Sequence, residues 1–235
     1  MAILKSKDPC SLTLRVLAHL LRYPDDAIRS HANDLKQALA QESALSASRR
    51  EELNWLIDHI ASAPALDAEA DYVETFDNGR LTSLYLFEHV HGDSRDRGPA
   101  MIDLIQTYEQ AGLYLSEKDL PDYLPVVLEY ASTQPPVQAR EFLREIVHLA
   151  QLLFSALQNR ESPYASVLAA VVELAGEQAR AVQLPEQADL DESWAEPEAF
   201  DGCATQGQNR PGQDQPIHLV RTVSRTSNKS SGAQA

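Results

Sequence analysis

Positive charge is in short supply in this sequence: 20 Lys and Arg stand against 35 Asp and Glu, a formal net charge of −15. A surface of that sign repels a phosphate backbone and an anionic membrane face, so nucleic acid is excluded as a partner and a basic partner is the natural complement. Cysteine is scarcer still. Cys10 and Cys203 lie far apart, in no CxxC arrangement, which argues against a structural zinc site and against a disulfide framework; no CxxCH supports haem attachment. Long apolar runs are missing too. The opening "MAILKSKDPCSLTLRVLAHLLRYPDD" places Lys5 and Lys7 before an apolar run, but Arg15, His19 and Arg22 interrupt it and no small-residue cleavage site follows. No segment approaches the length of a membrane span. The expectation is a soluble, cytoplasmic chain without direct membrane insertion. Strand-like alternation between hairpin turns is also absent, as is any glycine loop that would cradle a phosphate.

What is present is helical periodicity. Leu12, Val16, Leu17, Leu20 and Leu21 form one stripe, ended by "YPDD". A second helix is expected over 26–41, with Ile28, Leu35 and Leu39 inward. Ser48 and Glu51 read as a capping box that starts a helix carrying Leu53, Leu56, Ile57 and Ile60, closed by Pro64. "LDAEADYVETFD" follows, with Gly79 as a left-handed stop. The next helix holds "LYLFEHVHG". Gly98-Pro99 restarts the chain into a helix with Met101, Leu104, Ile105 and Tyr108 on one face and Gly112 as its stop. Three more are expected: from near Asp122 with Pro125 in its first turn, from Pro136 to Gln158, and from Pro163, capped by Ser162, to about Val182. The fold class is therefore all-α, one globular bundle of about eight or nine helices.

Residues 1–184 form the expected helical domain. The character then changes: Pro185–Phe200 holds six acidic residues and no basic one, and the remainder is rich in Gly, Gln, Ser and Pro. Such a composition buries too little apolar surface to offset its ordering entropy, so 185–235 is expected to be a disordered tail, with "WAEPEAF" and "PIHLVRTV" as small apolar islands within it.

Residues 84–98, "LYLFEHVHGDSRDRG", concentrate chemistry-bearing side chains. His89 and His91 with Asp93 and Asp96 suggest a metal-dependent hydrolase, yet ligands sharing a helical face need spacings of three or four. "GDS" at Gly92-Asp93-Ser94 looks superficially like a hydrolase nucleophile motif, but such motifs lift the serine above a sheet, and here a helix precedes it. The apolar pattern gives a third reading. Leu81, Leu84 and Tyr85 fall on one helical face and Leu86, Phe87 and Val90 on another, so the helix is apolar most of the way round. Core packing is the default for such a helix; the alternative is a peptide groove with an apolar floor and a charged rim.

Residues 72–133, from "YVETFDNGRLTSLYLFEHVHGDSRDRGP" through "DLPDYLPVVLEYAST", resemble the central block of the TorD/DmsD/NarJ family of redox-enzyme maturation chaperones, in its nitrate reductase branch. The likeness runs from the first helix to "DESWAEPEAFDGC". It implies a single all-helical domain that is not an enzyme and holds no cofactor of its own. The implied partner is the apo catalytic (α) subunit of a respiratory nitrate reductase, paired with its iron–sulfur β subunit. The chaperone would bind its N-terminal segment and hold it open for molybdenum cofactor insertion before membrane docking, with molybdenum cofactor delivery proteins as further partners. The family's aromatic motif ending in glycine matches Tyr85, Phe87 and Gly92, beside Leu86 and His89. Its acidic loop motif matches Asp119 to Tyr123. Asp122 is kept, while Tyr123 stands where the TorD-like branch has histidine. These residues are the implied peptide-binding set, and Asp119 and Asp122 read equally well as helix caps.

Overall fold

The computed structural model describes residues 9–92, 94–116 and 119–184. Among them are ten α-helices and no strand. In chain order these are α1 Ser11–Leu20, α2 Asp26–Ser30, α3 Ala32–Gln41, α4 Ala47–Ser62, α5 Ala65–Phe76, α6 Leu86–Val90, α7 Arg97–Gln110, α8 Leu124–Thr133, α9 Pro136–Asn159 and α10 Ala165–Leu174, with a 3₁₀ turn at Arg80–Thr82. The all-α reading holds. The expected tail, its two apolar islands and Cys203 lie outside the described residues.

Two helices sit at the centre because their sequences are apolar most of the way round. In "LPVVLEYAST", Leu124, Val126, Val127, Leu128 and Ala131 are all buried, and in "ASVLAAVVEL" every residue from Val167 to Val172 is. Around this pair α1 packs on α8 and the long α9 packs on α10. Leu14 and Leu17 of α1, Leu53 and Leu56 of α4, and Leu143 and Leu153 of α9 are fully buried. Each such leucine contributes about 1.5–3 kcal/mol by leaving water.

The boundaries differ from the sequence expectations at five places. The segment 26–41 is two helices: the His31 ring and the Ser30 hydroxyl both turn onto the Ala27 carbonyl, at 2.7 and 2.9 Å, and the ladder breaks at His31. The cap of α4 is Ser46, whose hydroxyl accepts from the Arg49 N–H at 3.3 Å, two residues before the expected capping box. Gly79 is extended rather than left-handed; a Cβ there would stand 3.3 Å from the Arg160 guanidinium. The apolar stretch around Leu84 is not one helix, since a 3₁₀ turn and an extended segment lead into the five-residue α6. Finally, α10 ends at Leu174, because Gly176 takes φ +90° and the Glu177 N–H closes onto the Val172 carbonyl. Residues 177–184 then run along α9, where Gln151 both donates to the Gln178 carbonyl and accepts from the Arg180 N–H.

Candidate functional site

The segments 84–87 and 121–124 are far apart in sequence and meet in an antiparallel bridge between Tyr85 and Tyr123. The Leu86 N–H donates to the Asp122 carbonyl at 3.0 Å, and the Leu124 N–H donates to the Leu84 carbonyl at 2.8 Å. Local sequence prepares both halves. Ser83 receives the Tyr85 N–H at 3.3 Å and keeps 83–85 extended, while Pro121 biases Leu120 away from helix ahead of the other segment and Pro125 falls in the first turn of α8, where proline is tolerated. Tyr108 fixes the second half further by donating its hydroxyl to the Pro121 carbonyl at 2.8 Å.

Asp122 lies beneath the bridge with no exposed surface. One of its oxygens accepts the Phe87 N–H at 3.1 Å, so it caps α6 from across the chain. Arg97, at the start of α7, stands 3.7 Å from that oxygen and 3.8 Å from Glu88. A cation at a helix N-terminus is unfavourable, and these two carboxylates offset it. The other Asp122 oxygen has no hydrogen-bond partner among the described residues. Burial pushes the Asp122 carboxyl above its ordinary value, against the opposing pull of the Phe87 N–H and Arg97.

Above the carboxylate the Tyr85 and Tyr123 rings pack at 5.3 Å. The Tyr123 hydroxyl reaches Tyr72, 3.3 Å away, and Tyr72 donates to the Leu21 carbonyl at 2.8 Å, which ties the bridge to the end of α1. Burial raises both the Tyr85 and the Tyr123 hydroxyls above their ordinary values.

The eight residues singled out in the sequence therefore separate. Tyr85, Phe87, Asp122 and Tyr123 come together. Tyr85, Phe87 and Tyr123 are half-buried, and Val90 beside them is 52% exposed. Leu86 is 4% exposed and belongs to the core. His89 turns a ring nitrogen to the Ser83 carbonyl at 2.8 Å. Gly92 ends α6 with φ +50°, a geometry that favours glycine. Asp119 accepts the Ser116 hydroxyl at 2.7 Å and touches the bridge only through its charge, which helps to raise the Tyr85 hydroxyl. Sequence reasoning missed Glu88 and Arg97 as the partners of this site. The charged run "DSRDRG" was the available signal, but nothing in it distinguishes Arg97 from Arg95.

The hydrolase readings find little geometry. Among the described residues no group of three or more His, Cys, Asp and Glu side chains is placed to hold a metal ion. Asp93 lies outside them. Ser94 is a turn residue: it donates to Asp96 at 3.3 Å and accepts the Asp96 N–H at 3.2 Å. Among the described residues no helix is long and apolar enough to cross a membrane.

Comparison with known proteins gives a consistent set. Residues 25–170 match the family described as nitrate reductase delta subunit. The chain is 43% identical over 164 residues to the nitrate reductase molybdenum cofactor assembly chaperone NarJ of Escherichia coli K12, covering 70% of each chain. It is 40% identical over 181 residues to the probable chaperone of the same kind, NarW, from that strain, covering 76% of this chain and 74% of the relative. With the probable NarJ of Bacillus subtilis 168 it shares 36% identity over 157 residues, 67% of this chain and 84% of the relative.

Proposed function

The chain belongs to the nitrate reductase delta subunit family, and on that premise we propose that it is a maturation chaperone for a respiratory nitrate reductase. It binds the apo α subunit, in complex with β, through the N-terminal segment of α. It keeps that subunit competent for molybdenum cofactor insertion until the complex docks on the membrane. It works in the cytoplasm as a binding protein without turnover chemistry, in a body formed by residues 1–184.

The observation that carries this reading is the bridge at Tyr85 and Tyr123, which assembles half-buried aromatics over a buried acidic cap. An apolar and basic client segment finds there what it needs: ring faces for its side chains and a protein of net charge −15 for its cations. Within the site, Tyr85, Phe87 and Tyr123 make contact. Asp122 is a positioning residue that holds the Phe87 backbone and, through Arg97, the start of α7.

The test is calorimetric titration with a synthetic peptide of the α subunit's N-terminus. Saturable one-to-one binding is expected, weakened by Phe87→Ala by about 1–2 kcal/mol with the fold retained. No binding at high micromolar peptide would sink recognition of the N-terminal segment and leave a folded surface of the apoenzyme as the client epitope.

A further inference from the structure

Helix α5 carries two apolar stripes where a surface helix of a bundle needs one. Ala68, Tyr72 and Phe76 are buried against the core. On the opposite side Leu66, Ala70 and Val73 point outward; Leu66 is 78% and Val73 38% exposed. Tyr23, itself 45% exposed, leans its ring edge-on against Tyr72 at 5.7 Å and completes the floor. With Glu69, Glu74 and Asn78 these residues line a shallow depression of about 480 Å³.

The charges around that floor are ordered. At about 100° per residue, Glu69 falls on one side of the outward stripe and Asp67 and Glu74 on the other. The helix "ALDAEADYVETF" contains four acidic residues and no Lys or Arg. A second copy of the chain would bring the same carboxylates face to face, so self-association through this surface is disfavoured. An apolar stripe one helix wide, with carboxylates along both edges, is the complement of a helix that carries leucine-like knobs between two rows of Lys or Arg.

We infer that the outward face of α5, together with Tyr23, is a docking surface for a basic amphipathic helix of a partner protein. This surface goes beyond the reading of the aromatic bridge. Its residues are not those of the bridge, and the two proposals fail separately.

The experiment uses the full chain and two synthetic peptides of identical Leu, Ala and Lys composition. One places leucine at helical i, i+4, i+7 spacing; the other is shuffled. Binding is read by calorimetry at moderate salt. The patterned peptide is expected to bind more tightly than the shuffled one by roughly tenfold, the scale of one or two aliphatic side chains leaving water. Leu66→Ser with Val73→Ser removes that difference, also in a Phe87→Ala background where any binding at the aromatic bridge is already weakened, and Glu69→Gln with Glu74→Gln weakens both the affinity and its salt dependence. Leu66, Val73 and Glu74 are exposed and Glu69, which is half-buried, is hydrogen-bonded with Tyr23; circular dichroism checks that helix content is kept. A photoreactive group on the patterned peptide is expected to cross-link to α5. Equal binding of the two peptides, or binding that survives the Leu66 and Val73 changes, would mean that only the general negative field attracts them and would overturn the proposal. Loss of patterned binding on Phe87→Ala would move the site to the aromatic bridge and overturn it as well. A dimer in the absence of peptide, dissociated by the Leu66 and Val73 changes, would assign the face to a second copy and overturn it too.

Discussion

Asp122 is buried with one oxygen engaged and the other without a hydrogen-bond partner among the described residues, so its behaviour is set by desolvation rather than by solvent. Asp122→Ala removes the acceptor of the Phe87 N–H and one of the two carboxylates beside Arg97, and is expected to destabilise the fold by about 1–3 kcal/mol in urea unfolding. Asp122→Asn keeps an acceptor without the charge and separates geometry from titration. The folded carboxyl titrates above its unfolded value of 3.8. Between the two values the folded state binds more protons, so stability drawn from this group is greatest in acid and falls as pH rises through the folded value. Unfolding of the wild type relative to Asp122→Asn is therefore expected to become easier as pH climbs above 3.8; a pH-independent difference would show that Arg97 compensates the charge. Backbone strain is found at Glu161, which follows α9 with φ +54°, while the Ser162 N–H closes onto the Leu157 carbonyl at 2.9 Å. Glycine belongs at that position of a helix stop, and Glu161→Gly is expected to stabilise the protein by about 1 kcal/mol in the same assay. Such residue-level facts were half legible. The aromatic run and "DLPDYL" flagged two segments that the fold brings together, but periodicity could not separate Leu86, which is core, from Phe87, which is not, because it reads apolar character and not which neighbour covers it.

Helices were more legible than their ends. The stripes of α1, α4 and α7 follow from spacing alone, since burying one face is what makes an amphipathic segment helical. The ends were missed where the capping group comes from elsewhere in the chain. At the start of α1, Glu42 accepts the Leu12 and Thr13 N–H groups at 3.1 and 2.8 Å and the Thr13 hydroxyl at 2.8 Å. Ser46, ahead of α4, donates its N–H to Glu173. Arg140 and Arg144 donate to the Leu174 and Ala175 carbonyls at 3.0 Å and close the end of α10. At the start of α6, Asp122 accepts the Phe87 N–H. Sequence separations of 29 to 127 residues put these caps beyond any local pattern. They also make each helix end depend on tertiary structure. Glu42→Ala is expected to cost about 1–3 kcal/mol, because it leaves buried donors at the start of α1 unsatisfied. Glu42→Gln, which retains one acceptor, should lose less. Equal losses for the two would show that the charge at the helix terminus, rather than the hydrogen bonds, is what α1 requires.

On the scale of the whole molecule, the proposed function predicts that charge and apolar contact contribute separably to client capture. On that proposal, a net charge of −15 guides a basic segment toward the protein at long range, while the rings at Tyr85, Phe87 and Tyr123 would act only on contact. The screening length shrinks from about 30 Å at 0.01 M salt to about 10 Å at 0.1 M and about 3 Å at 1 M. Guidance is therefore lost across that range while contact burial is retained. In stopped-flow binding of the α-subunit peptide, the association rate is expected to fall by roughly tenfold or more between those extremes, with the dissociation rate changing by less than about threefold. Phe87→Ala should show the reverse pattern, with faster dissociation and an unaltered salt slope. If salt acted mainly on dissociation, the client's cations would have to be seated in direct, partly desolvated pairs with carboxylates. Glu88 would then be the first to test, since it stands beside Phe87 and is partnered by Arg97 and Ser83 in the unbound protein.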